Sequence, residues 1–161
     1  MKVAMGIIAS SMLIIACETT YRPYSFVGGG GWKEAQLAEN TFKVTFEANG
    51  YTSNTTATDM ALLRSAELSL AHGFKYFVIG VASDDTRTAA YSTPTTTTFN
   101  ATTQGNATYG SAQTYGGQIY VFSFPTPSLT ISCFVDKPPF ATTVYDAALT
   151  SKSLRAQYGI R

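Results

Sequence analysis

From Thr41 to Ala48 the chain alternates strictly. Phe42, Val44, Phe46 and Ala48 fall on one face, and Lys43, Thr45 and Glu47 on the other. A period of two predicts a half-buried strand, and Asn49-Gly50 punctuates it. The period then changes. Met60, Leu63, Ala66 and Leu70 form an apolar stripe at helical spacing, which predicts a helix over 57–72. Thr56 with Asp59 fits a capping box, Asp replacing Glu. His72 falls in the last turn, where a cation is favoured, and Gly73 suits the position just past the end. Phe74 to Val81 is apolar on both faces and reads as the central strand of a sheet, ended by Asp84-Asp85. Two further alternating runs, Ile119–Phe124 and Leu129–Val135, flank Pro125-Thr126-Pro127 and predict a hairpin that closes the sheet. After Lys137-Pro138-Pro139 a final helix is expected over 146–157, with Ala147, Ser151, Leu154 and Tyr158 facing inward.

Residues 86–116 break the pattern. Threonine runs (Thr95 to Thr98, Thr102-Thr103) mix with Ser, Asn, Gln and Gly, and Arg87 is the only charge. Tyr91, Phe99, Tyr109 and Tyr115 are spaced through it. Such a stretch cannot bury much apolar surface, and it is either a long loop or an extended polar hairpin. The order of elements predicts an α+β fold: a two-layer sandwich, a mainly antiparallel sheet of about four strands with two helices on one face, plus this long Thr/Tyr-rich insert. Residues 41–161 form the single domain. Residues 17–40, with Gly28 to Gly31 before Trp32, read either as a flexible tether or as a loop with Trp32 packed on the domain edge.

The N-terminus fixes a compartment. Lys2 precedes an apolar run from Val3 to Ala16, too short to span a bilayer as a helix, which needs about 20 residues. Ile14-Ile15-Ala16-Cys17 closes it. This resembles the lipobox of a bacterial lipoprotein signal, with residues 1–16 as the signal peptide. The resemblance implies cleavage before Cys17 and acylation of that cysteine, anchoring the protein to a membrane. Glu18, in place of the aspartate that commonly retains such proteins in the inner membrane, favours the periplasmic face of the outer membrane. Removing residues 1–16 takes Lys+Arg from 11 to 10 against Asp+Glu 10, so the mature formal charge is zero. A neutral chain carries no electrostatic footprint for nucleic acid.

Catalytic and metal chemistry find little material. The one histidine, His72, is better explained by the helix end, and Cys133 has the spacing of a buried strand residue, not a reactive thiol. His72 and Cys133 alone cannot supply a structural zinc site, and Asp84-Asp85 lacks a calcium-loop pattern. No cofactor is expected beyond the lipid at Cys17, no metal site, and no enzymatic activity.

Asn49 to Ser53, Asp59, Leu62 to Glu67, Gly73-Phe74 and Phe77 to Ile79 together resemble an uncharacterised family of small proteobacterial envelope lipoproteins. The likeness covers residues 17–82, with a weaker echo at Ser132 to Phe134 and in the last helix. It implies envelope location and fold. Within that motif Arg64 and Glu67 stand at i,i+3, either as a docking patch or as a clamp onto the Asn49-Gly50-Tyr51 turn. Together with Tyr91, Phe99, Tyr109 and Tyr115 they are the candidate interaction residues. The expected role is a lipid-anchored structural or interaction subunit of an outer-membrane-associated complex, such as a secretion or motility machine. The alternative is a small-ligand or glycan binder using the aromatic faces.

Overall fold

A computed structural model describes residues 18–161. In chain order the elements are β1 (Gly31–Ala38), β2 (Thr41–Glu47), α1 (Asn54–Ala71), β3 (Tyr76–Asp84), β4 (Arg87–Ser92), β5 (Thr96–Gln104), β6 (Ala107–Tyr115), β7 (Ile119–Phe124), β8 (Pro127–Phe134), β9 (Tyr145–Asp146) and α2 (Ala147–Tyr158). The chain is α+β with antiparallel strand pairing, as the alternation of periods predicts. The main sheet has five strands rather than four, in the order β1-β2-β8-β3-β9.

The alternating face of β2 supplies Phe42, Val44 and Phe46 to the core, and β8 supplies Leu129, Ile131 and Cys133. Helix α1 covers this face with Ala57, Met60, Ala61, Leu63, Ala66 and Leu68. Its buried Ser65 and Ser69 donate to the carbonyls of Ala61 and Ser65, so burial leaves neither hydroxyl unpaired. Helix α2 packs against α1 through Ala147, Ser151 and Leu154, all buried as the sequence pattern predicts. Leu70, expected on the inner stripe, is exposed.

Several sequence expectations change in the structure. The α1 N-cap is Ser53, whose hydroxyl accepts from the Thr56 amide at 3.0 Å. Asp59 takes no part in the cap; it accepts from the Tyr158 hydroxyl at 2.5 Å and so ties α1 to α2. The middle strand of the five is β8, and β3 lies between it and the two-residue β9. The stretch 119–124 does not pair with β8. It is β7, and it pairs with β4, because the turn-like Pro125-Thr126-Pro127 joins two successive strands of one ribbon instead of reversing the chain.

The segment expected as a tether is also ordered. Residues 31–38 form β1, the edge strand beside β2. Ahead of it, Ser25 bridges to Gly30 and Pro23 to Trp32. The glycines serve this turn sterically. A Cβ on Gly30 (φ 126°) would lie 2.1 Å from the Glu47 carbonyl oxygen, and one on Gly31 (φ 132°) 2.5 Å from that of Arg22. Only glycine fits there. Thr19 is buried as well: its amide donates to Thr52 Oγ1 at 2.8 Å, and its hydroxyl accepts from the Asn49 amide at 2.8 Å.

Candidate interaction surfaces

Arg64 and Glu67 lie at the centre of a polar cluster that joins four parts of the chain. Arg64 Nε donates to Glu34 Oε2 on β1 at 2.7 Å, and its guanidinium stacks on the Trp32 ring at 3.8 Å from the centroid. Arg64 Nη1 and Glu67 Oε2 are 3.5 Å apart, the i,i+3 pair that the spacing predicts. Glu67 Oε1 accepts from Arg155 on α2 through Nε at 2.9 Å and Nη2 at 2.5 Å. Glu67 Oε2 also accepts from the Tyr21 hydroxyl at 2.5 Å. Burial disfavours the Arg64 charge, but the hydrogen bond and charge of Glu34 outweigh that and hold the guanidinium above its ordinary pKa. Burial, aided by the Glu67 carboxylate, likewise pushes the Tyr21 phenol well above its ordinary pKa.

The partners are thus Trp32, Glu34, Tyr21 and Arg155. Trp32 and Glu34 share a face of an alternating stretch, a signal present in the sequence but masked by the glycines before it. Tyr21 and Arg155 carry no such local mark.

The four aromatic candidates lie on a different feature, an arm formed by β4–β7 and β5–β6. Tyr91 pairs with Tyr120, Phe99 with Ala112, Tyr109 with Thr102 and Tyr115 with Thr96. Every arm residue from Arg87 to Ser123 within a strand is exposed, and Phe99 shows 77% of its surface and Ile119 69%. From Val81↔Thr130 to Asp84↔Pro127, Arg87↔Phe124 to Ser92↔Ile119 and Thr96↔Tyr115 to Gln104↔Ala107, the numbers of every pair add to one value. The arm is therefore the outer part of the same hairpin whose inner part is β3–β8. Gly105, in the left-handed region at φ 65°, helps close its tip.

The arm is fixed at its base. Asp84 accepts from Thr86 Oγ1 at 2.7 Å, from Asn54 Nδ2 of α1 at 2.7 Å and from the Thr126 amide at 3.3 Å. These bonds, that of Thr86 foremost, lower its pKa. The Ala48 amide donates to the Pro125 carbonyl at 2.9 Å, and Gly50 sits against Phe122 and Phe124. Beside this base lies a cleft of about 500 Å³ lined by Asn54, Thr58, Asp59, Asp84 and Leu129.

Cys133 is buried and its Sγ lies 3.2 Å from Ser69 Oγ; burial raises the thiol pKa, partly opposed by that contact. His72 caps α1 and its ring lies 4.7 Å from that of Phe42. Among the described residues no group of three or more His, Cys, Asp or Glu is placed to hold a metal, and no helix is long and apolar enough to cross a membrane. Cys17 and the signal segment 1–16 lie outside the described residues.

The architecture defines an α+β body with a two-stranded arm. No family model, no curated protein and no solved structure matches the chain.

Proposed function

We propose that this protein is a lipid-anchored structural and interaction protein of the periplasmic face of the outer membrane, an accessory subunit of an envelope complex such as a secretion or motility machine. The observation that carries this reading is the arm: a long exposed ribbon, fixed at its base and bearing Tyr91, Phe99, Tyr109 and Tyr115. Surface that large, aromatic and uncharged is the material of contact interfaces. The body behind it is a two-layer sandwich, with α2 and the sheet packed against α1. Acylated Cys17 gives the anchor, and Thr19 is pinned to Thr52 only two residues further on. The body then sits hard against the membrane with no free spacer. Phe26 and Val27, almost wholly exposed on the adjoining turn, suit contact with a lipid surface.

The test has two parts. Palmitate labelling of the wild-type chain is expected, with none on Cys17→Ser. Cross-linking in intact cells, followed by mass spectrometry, is expected to recover another envelope protein from wild type and not from a chain lacking residues 86–116. Recovery of uncross-linked monomer from both would refute the interaction role. The exposure of Phe99 and Tyr109 also favours a second reading, a glycan or small-ligand binder using stacked rings. Retention of the chain on an envelope polymer, lost on Phe99→Ala with Tyr109→Ala, would move the assignment there.

A further inference from the structure

Between Arg87 and Asp136 the sequence contains no Asp, Glu, Lys, Arg or His. The whole arm is therefore uncharged beyond its first residue. Among the described residues both of its long edges are open: β5 pairs only with β6, and β4 only with β7. A two-stranded hairpin alone in water is marginally stable at best. Natural proteins protect such edges with lysine, inward charges or a covering element. Pro94, at the irregular joint between β4 and β5, is the arm's single such device.

We propose that the occupant of these edges is the arm of a second copy of this chain, added strand to strand. Open N–H and C=O groups along a ribbon are satisfied most directly by another strand. The absence of charge means that identical arms meet without like-charge repulsion, and it gives a charged partner nothing to read. The outer ribbon is rich in β-branched residues, with hydroxyl contacts already spanning its strands at Thr97–Thr114 (3.0 Å) and Thr103–Thr108 (3.1 Å). A copy continues that ladder with the same residue types. Lipid alone is a poorer occupant, because an open edge cannot enter hydrocarbon with its backbone groups unpaired. Pairing between copies has to come first even if a membrane follows.

The proposal extends the interaction role above but does not depend on the lipid, so it is tested both on the full chain in detergent and on Cys17→Ser. Light scattering of the eluted protein is expected to give at least the mass of two chains in both. The triple variant Thr97→Lys, Ala101→Lys, Thr108→Lys places cations along both outer strands with no two directly opposed within a chain. It is expected to elute as a single chain with an unchanged Tm, whereas Gln36→Lys on β1 keeps the assembled mass. Should the triple variant lose its fold, a bismaleimide acting on Thr103→Cys in the Cys17→Ser background reads the wild-type surface directly, and linked dimers are expected. A single-chain mass for wild type at every concentration with no linked dimer overturns the proposal. So does assembly that survives the lysines. Binding of a single-chain protein to phosphatidylethanolamine–phosphatidylglycerol vesicles through the arm also overturns it and makes the bilayer the occupant.

Discussion

The two halves of one hairpin make opposite use of the same backbone. In the inner half, β3 and β8 place Phe77, Ile131, Leu129 and Cys133 under α1, and all four are buried. In the outer half, β7 offers Ile119 and Val121 at the same spacing of alternation, and both are exposed. The register shifts once, between Ile79 and Val81, and from Val81 outward it runs unchanged into the arm. What changes is the second layer: α1 reaches as far as Asn54, which holds Asp84, and beyond the Gly50 turn against Phe122 and Phe124 no helix among the described residues covers the strands. An alternating run therefore states that a face is available for burial. It does not state which element buries it, or whether that element belongs to the same chain.

The widest contrast in energy lies between two phenylalanines of this hairpin. Phe77 is fully buried and its ring stacks on Tyr145 at 5.1 Å between centroids. Phe77→Ala is expected to cost about 3–5 kcal/mol through lost transfer energy and a residual cavity. Phe99→Ala on the arm should shift unfolding of the monomer by less than about 0.5 kcal/mol. Chemical denaturation of the two variants measures both. Equal costs would mean that the arm is folded into a cooperative core, and the comparison would fail.

A smaller effect is expected at the polar cluster. Glu67 receives Arg155, Tyr21 and Arg64. Glu67→Ala leaves these donors without their acceptor in a half-buried setting, and about 1–3 kcal/mol of stability should be lost. Glu67→Gln keeps one acceptor oxygen and should recover part of it. The fall belongs to the body alone, so the arm's assembly should survive it.

How much of this was legible depends on the range of the interaction. Strand β2, helix α1, the buried face of β8 and the inward face of α2 follow from local period, because the residues that define each element are neighbours in sequence. Cys133 is buried where its alternation places it. Strand β1 was hidden because Gly28 to Gly31 look like a spacer, whereas the close approach to Glu47 and Arg22 that requires them is a tertiary fact. The pairing of β7 with β4 was illegible for the same reason: a strand's period says nothing about its partner, and Pro125-Thr126-Pro127 suggests a reversal. At the candidate sites, the Arg64–Glu67 pair could be read from i,i+3 spacing. Its links to Tyr21 and Arg155 cross 46 and 88 positions of sequence. The arm's aromatics could be seen as a spaced set, but not their alignment on a single ribbon.

Body and arm should also differ in their response to alkali. Burial raises the Cys133 thiol pKa, and burial with the Glu67 hydrogen bond raises that of the Tyr21 phenol. A group held neutral in the fold contributes stability that is complete below its ordinary pKa and is lost as pH rises through the folded one. The window therefore opens at about pH 8.5 for the thiol and about pH 10 for the phenol. Tm of the body should fall across this range, and Cys133→Ala should flatten the part that begins near pH 8.5. The arm's Tyr91 and Tyr109 are exposed. A scan in which arm and body signals fall together would mean that the alkaline loss does not originate in the buried groups.

The smallest expected change is the most telling about the arm. Thr103→Ala removes one cross-strand hydroxyl contact, to Thr108 at 3.1 Å, on a ribbon without a second layer. Its effect on global unfolding should lie within about 0.5 kcal/mol, because the arm opens at a free energy well below that of the body. Amide hydrogen exchange resolves the two. In dilute monomer, β5 and β6 should exchange quickly while β2 and β8 stay protected, and Thr103→Ala should speed exchange in the arm alone. If arms pair with one another, protection of β5 and β6 rises with protein concentration and that of β2 does not. Arm amides as slow as those of β8 in the monomer would mean that the hairpin's outer half is stable by itself, and the distinction between its covered and bare halves would then be one of surface rather than stability.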